Sequence, residues 1–149
     1  MPTADLSKLK GNAKFKLEQK ISWRTIFWEI DQSERSGRYV TDKAGKPLPT
    51  NPLRDVRVRQ AISKAINRQA LVDRTMEGLA VPASNIVAPG LLGYNDKLKV
   101  EAYDPEGAKK LLAEAGYPNG FALTLHGPND RYINCLLYTS PSPRDRQKS

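Results

Sequence analysis

Residues 104–125 read DPEGAKKLLAEAGYPNGFALTL, and this stretch predicts a helix, a turn and a strand in succession. Asp104 is a helix-capping residue, and Pro105 suits the first helical position because the N–H that it lacks would have no partner there. The apolar residues recur at the spacing of one helix face, namely at Ala108, Leu111, Leu112 and Ala115. Gly116 is placed to end the helix. After the turn at residues 117–120, the alternation of FALTL predicts a strand over residues 121–125.

A second helix is predicted on the N-terminal side of this stretch. It begins at Asp55, directly after the turn-forming pair Asn51-Pro52, and Gly78 ends it. Its apolar stripe consists of Val58, Ile62, Ala65, Ile66, Val72 and Met76, with Ala61 beside it. The glycines and prolines of residues 79–103 predict a long loop between the two helices.

The N-terminal third of the chain is predicted to contribute strands. Residues 15–19 alternate between apolar and polar, and residues 23–30, WRTIFWEI, are β-branched and aromatic. Residues 33–52 contain several glycines and prolines and are predicted to form a loop or linker. The predicted order of elements is typical of the α/β class: two strands, a helix, a loop, a helix and a strand.

The composition limits the class of protein. The chain has 149 residues, with 24 Lys and Arg against 16 Asp and Glu, which suits one basic domain or a piece of a larger one. No apolar run approaches the roughly 20 residues that a bilayer requires, so no transmembrane segment is predicted. The first ten residues lack an apolar stretch behind a basic start, so no signal peptide is predicted in this chain.

The C-terminal tail, residues 135–149, reads CLLYTSPSPRDRQKS and differs in character from the rest. Residues 135–145 match the translation of a sequencing adapter, so we predict that the tail is such a translation and is disordered; a natural Ser/Pro-rich tail is the alternative. The tail holds the only cysteine. Residues 1–134 therefore offer no disulfide and no cysteine metal site.

Several motifs in order resemble the family 5 extracellular solute-binding proteins of ABC importers. They are DVRVRQA at 55–61, AINRQALVD at 65–73, GLAVPA at 78–83, YDPEGAKKLLAEAGYPNG at 103–120 and FALTL at 121–125. The stretches KLKGNAKFKL and WRTIFWEID extend the resemblance towards the N-terminus. The resemblance therefore covers nearly all of residues 1–134.

This resemblance implies a two-lobed periplasmic-binding-protein type II fold, of which the chain carries mostly elements of the second lobe. A solute, most plausibly an oligopeptide or dipeptide, would be enclosed between the lobes and delivered to an ABC permease. The family implies no catalytic residue and no cofactor, and it places the parent protein in the periplasm or at the cell surface. Family members are several times longer, so residues 1–134 are expected to be a fragment of such a protein.

Trp28 is the candidate ligand-binding residue. The resemblance puts residues 25–31 at or near a crossing between lobes, where an aromatic ring can form a wall of the binding cleft. Packing of Trp28 in the core beneath a sheet is the alternative, and the sequence favours it because apolar residues in short strands usually belong to the core.

An enzymatic function and a nucleic-acid-binding function are the alternatives to solute binding. His126 is the only histidine and lies at a predicted strand end, without the partners that a metal site or a catalytic dyad requires. Nucleic-acid binding is the runner-up because basic residues cluster near Trp23 and Trp28 and between Arg54 and Arg59. No nucleic-acid-binding motif accompanies these residues, so solvated basic faces are favoured. We predict a binding protein with neither a catalytic residue nor a metal site.

Overall fold

The structure, a computed structural model, describes residue 9, residue 14 and residues 16–34 and 39–127. The elements in chain order are β1 (Val40–Thr41), a 3-10 turn (Pro52–Arg54), α1 (Val56–Ala65), α2 (Arg68–Arg74), α3 (Pro105–Glu114) and β2 (Ala122–Leu123). This mixture of helices and strands confirms the predicted α/β class. None of the helices in the described part of the chain is long and apolar enough to cross a bilayer.

The chain divides into two compact units. The first unit consists of Met1–Phe27 and Asn67–Glu101, and the second consists of Trp28–Ile66 and Ala102–Ser149. The predicted adapter-like tail lies outside the described residues, so the prediction for the tail remains a prediction.

The two long helices of the second unit begin at the predicted caps. The Asp55 carboxylate accepts a hydrogen bond from the Arg57 N–H at 2.8 Å, and the Asp104 carboxylate accepts one from the Gly107 N–H at 2.8 Å. Each bond satisfies an N–H that has no partner within its helix. Gly116, with a φ of 93°, provides the left-handed residue after α3, where a side chain would be strained.

The core of the second unit forms where α1 packs against α3. Its buried residues are Val40, Leu53 and Val58. The partly buried residues packed around them are Ile30, Leu48, Ile62, Leu112, Ala115, Tyr117 and Phe121. Three polar contacts tie the helices together: the Arg57 guanidinium donates to the Glu114 carbonyl at 2.7 Å, the Asp104 N–H donates to the Lys64 carbonyl at 3.0 Å, and the Lys64 ammonium donates to the Asp104 carboxylate at 3.5 Å.

A short antiparallel pair of strands borders this core. Val40 lies opposite Leu123 and Thr41 opposite Ala122, and the Thr124 N–H donates to the Tyr39 carbonyl at 2.8 Å. The strand predicted over residues 121–125 is confirmed at its centre but is shorter than predicted. A strand extends only as far as its partner's backbone groups reach, and β1 has two residues.

The first unit contains α2 and the loop that follows it. The loop predicted over residues 79–103 is confirmed, since its described residues in this unit form only turns and irregular backbone. The side chain of Asn85 organises the loop, because its amide accepts from the Asn95 N–H and donates to the Asn95 carbonyl, both at 3.1 Å. The Asn85 side chain thus pairs with the backbone of Asn95, where two strands would pair backbone with backbone.

The prediction of one uninterrupted helix from Asp55 to Gly78 is wrong. The chain leaves the helical conformation at Ile66, where ψ is 112°, and restarts as α2. Asn67 causes the restart locally, because its side chain accepts the Ala70 N–H at 2.9 Å and so caps a new helix. Ala65, predicted on the apolar stripe, is exposed, whereas Ala61 is buried.

Two predictions for the N-terminal third are also wrong. Residues 16–34 contain no strand, although residues 16–19 and 23–30 were predicted to form strands. Aromatic and β-branched composition suits a strand, but a strand also needs a hydrogen-bonded neighbour, and neither strand of the described chain pairs with this segment. Residues 33–52, predicted to be entirely loop, contain β1 and the buried Val40.

Acid should weaken the second unit through its helix caps. The Arg57 side chain, by hydrogen bonding, holds the pKa of Asp55 below its usual 3.8, and the Gly107 N–H does the same for the pKa of Asp104. Because the folded carboxylates bind protons less readily than the unfolded ones, this stabilisation is complete well above pH 3.8 and is lost as the pH falls through the lower folded pKa values.

Urea unfolding of the chain with Asp55→Asn and Asp104→Asn tests this expectation. Asparagine caps a helix well but does not titrate, so the variant should fold at pH 7 with somewhat reduced stability. Its free energy of unfolding should then decline less steeply below about pH 4 than that of the wild type. An equally steep decline in both proteins would show that other groups cause the acid sensitivity.

Candidate functional site

The second unit contains a cleft of about 180 Å³ beside the β1–β2 pair. It is lined by Trp28, Glu29, Ile30, Asp31, Tyr39, Val40, Leu53, Ile62, Leu123, Thr124, Leu125 and His126. Val40 and Leu53 are buried core residues, so the inner end of the cleft is continuous with the core. The cleft is therefore a mainly apolar recess with polar groups among its lining residues.

One wall of the cleft is a run of four consecutive residues, 28–31, with irregular backbone. The buried side chain of Asn51 holds the end of this run: its amide donates to the Asp31 carbonyl at 3.0 Å and to the Ser33 carbonyl at 2.9 Å. The Asn51 side-chain oxygen accepts the Leu53 N–H at 3.0 Å, which caps the 3-10 turn. One side chain thus joins this wall to the turn that carries Leu53.

Residues around β2 provide another part of the lining. The rings of Tyr39 and His126 meet edge to face, with centroids 5.0 Å apart and an interplanar angle of 89°. This geometry is favourable because the positive edge of one ring faces the negative face of the other. His126 lies just beyond β2, as predicted, and contacts an aromatic ring.

The charge of the lining is opposite to that of the chain. The lining residues include Glu29 and Asp31 but neither lysine nor arginine, whereas the whole chain carries a formal charge of +8. The Asp31 carboxylate also accepts the Ser33 N–H at 2.8 Å. Among the described residues, no group of three or more metal-ligating side chains comes together. The arrangement suits apolar contact combined with attraction for a cationic group.

The comparison with protein families matches residues 1–147 to the bacterial extracellular solute-binding proteins, family 5. The chain belongs to this family. Its membership confirms the predicted family and agrees with the predicted partial periplasmic-binding-protein type II fold. Family 5 proteins are transport binding proteins rather than enzymes, in agreement with the prediction.

Relatives that are named for different ligands are similar to this chain. Heme-binding protein A of Haemophilus influenzae is 36% identical over 142 residues, covering 95% of this chain and 22% of that protein. The dipeptide-binding protein of Escherichia coli K12 is 46% identical over 74 residues, covering 50% of this chain and 14% of that protein. Glutathione-binding protein GsiB of the same strain is 47% identical over 88 residues, covering 59% of this chain and 16% of that protein. The chain thus spans about a fifth or less of the length of these relatives.

One solved family 5 structure is also similar. It is the periplasmic binding protein DppA of Helicobacter pylori, in complex with the peptide STSA, with a TM-score of 0.43 and 38% identity. The similarity covers 55% of this chain and 15% of that chain.

In this family 5 chain, Trp28 lies at the surface of the cleft. Its exposed fraction is 46%, so the interpretation that Trp28 packs in the core beneath a sheet is wrong. Its contact with a ligand remains a prediction. Ile30, two residues later, is the member of this segment that packs against the core.

Sequence reasoning missed Tyr39, which lines the cleft, and Asn51, which supports the cleft wall. Asn51 was assigned only to a turn, and Tyr39 was placed in a loop. The Asn-Pro pair at 51–52 does signal a turn, but the partners of the Asn51 amide are 18 and 20 residues away. No local pattern identifies such distant partners.

Proposed function

We propose that the protein that carries this chain is the substrate-binding component of an ABC importer. It would bind a small solute and then deliver it to a membrane permease. It would act in the periplasm or at the cell surface. The family match over residues 1–147 carries this proposal. The nucleic-acid alternative has no support from the comparisons, and the cleft, which contains no lysine or arginine, does not favour a polyanion.

A peptide or peptide-like solute is the ligand class that we propose. Two of the relatives above are named for a dipeptide and for glutathione. Apolar walls suit a peptide side chain, and the carboxylates of Glu29 and Asp31 suit an ammonium group. At about 180 Å³ the cleft is smaller than the roughly 300–1,000 Å³ of whole-ligand pockets, so it would hold one part of the solute.

The mechanism would be closure of two lobes around the solute. A ligand favours a closed state only through contacts that it gains there, so groups from both lobes must touch it. Residues 25–31 are proposed to lie near the crossing between lobes.

Calorimetric titration of the protein that carries this chain tests the proposal. A dipeptide such as Ala-Ala, glutathione and heme are titrated separately, with duplex DNA at low and high salt as the control. We expect saturable binding of at least one peptide ligand and only weak binding of DNA. Absence of binding to every solute, together with DNA affinity that falls steeply with salt, would contradict the proposal and favour the alternative.

A further inference from the structure

The wall of the cleft formed by residues 28–31 is held to the rest of the second unit by packing and by polar contacts. It lies outside any helix or strand, so no ladder of backbone hydrogen bonds holds it. Ile30 anchors it by packing against the core. The Arg54–Glu34 ion pair, at 2.9 Å, connects the following residues to the 3-10 turn. Both partners of this ion pair are more than half exposed, so it contributes little.

The buried amide of Asn51 is the strongest polar support of this wall. Asn51 is 7% exposed and makes three hydrogen bonds, two as donor to the Asp31 and Ser33 carbonyls and one as acceptor from Leu53. Buried hydrogen bonds matter because a buried carbonyl has lost its hydrogen bonds to water. Without a donor from the protein, that loss is not compensated and the folded state is destabilised. The wall and the turn are therefore coupled through this one side chain.

We propose that Asn51 is a positioning residue for the ligand cleft: it fixes the backbone at Asp31 and Ser33 and thereby holds Trp28 at the cleft surface. This inference rests on the proposed function as far as ligand affinity is concerned. Its structural part, the placement of Trp28, does not depend on which solute binds. Asn51 is not among the lining residues, so it acts through the wall and not by touching the ligand.

Substitutions of Asn51 can separate its two roles, which are to cap the 3-10 turn and to donate hydrogen bonds to the cleft wall. Aspartate has nearly the shape of asparagine and keeps an oxygen for the Leu53 N–H, but it has no amide donor for the two carbonyls. Serine likewise caps a turn through its oxygen and is smaller and uncharged. Asn51→Asp therefore retains an acceptor for the cap and removes both donors to the wall. Asn51→Ser also retains an acceptor, but its single hydroxyl on a shorter side chain cannot replace both bonds to the Asp31 and Ser33 carbonyls.

The experiment uses the protein that carries this chain, labelled with 5-fluorotryptophan. The ¹⁹F resonance of Trp28 is assigned by its loss in Trp28→Phe, and that of Trp23 serves as an internal reference. The matched control is Val58→Ala, which weakens the core without touching the Asn51 amide. We expect both Asn51 variants to shift or broaden the Trp28 resonance, with little change for Val58→Ala. For the peptide that binds best to the wild type, we expect about a tenfold loss of affinity in the Asn51 variants.

The two readouts distinguish failure of this inference from failure of the proposed function. Asn51 variants that lose stability but leave the Trp28 resonance unchanged would overturn the positioning role and leave Asn51 as a turn cap. If Asn51→Asp does not fold, Asn51→Ser provides the same comparison without adding a charge. A wild type that binds no peptide refutes the proposed ligand class, and one that binds none of the solutes refutes the proposed function. In either case the Trp28 resonance still decides whether Asn51 positions the wall.

Discussion

Replacing Val58 with aspartate should unfold the second unit, whereas the same replacement at Val56 should leave it folded. Both residues lie in the first turn of α1, but Val58 is fully buried in the core and Val56 is 53% exposed. A carboxylate at position 58 would lose its hydration without gaining a partner, and such changes cost more than about 4 kcal/mol. For a domain of ordinary stability, that cost removes much or all of the free energy of unfolding.

Val56→Asp is the matched control, because it introduces the same charge two residues away. An acidic residue at the start of a helix interacts favourably with the helix dipole, so we expect a change within about 0.5 kcal/mol. Circular dichroism during urea titration measures both variants. Similar stability of Val58→Asp and Val56→Asp would contradict the packing of α1 described above.

Replacing Trp28 with alanine should weaken peptide binding strongly and change thermal stability little. The ring lines the cleft and is only about half-buried, so its removal takes away a ligand contact and leaves no core cavity. Aromatic residues at the centre of a binding surface contribute about 2 kcal/mol or more, which corresponds to roughly a 30-fold loss of affinity. Calorimetric titration with the best-binding peptide and a thermal melt of the protein that carries this chain provide the two measurements.

Trp23→Ala is the control for this prediction. Trp23 is 75% exposed and belongs to the first unit, and it is not among the residues lining the cleft. We expect its replacement to leave peptide affinity within about twofold of the wild type. A Trp28→Ala protein that melts at a lower temperature yet keeps its peptide affinity would assign Trp28 to packing alone.

The starts of the two long helices of the second unit could be predicted from the sequence because their determinants are local. A capping carboxylate acts on an N–H two or three residues away, as Asp55 does with Arg57 and Asp104 with Gly107. The end of α3 at Gly116 and its partly buried face are equally local, since they depend on one backbone angle and on helical spacing. The family could also be predicted, because motif order is a property of the sequence itself.

The cleft could be predicted only in part. Trp28 was identified through the resemblance, but its position at a surface and the partners around it follow from tertiary contacts. Tyr39 meets His126 across 87 positions of the sequence, and the lining combines five separate stretches of chain. No periodicity within one stretch contains that information.

The sequence by itself determined where α1 and α3 begin, where α3 ends, which of their faces are apolar, and the family to which the chain belongs. Tertiary structure decided that the aromatic segment 23–30 forms no strand, that Val40 is core, and that the Asn51 amide joins a turn to the cleft wall. The physical reason is the range of the forces involved. Caps and helical faces involve neighbours within a few residues, whereas strand pairing, burial and the hydrogen bonds of a buried amide need partners that only folding brings near.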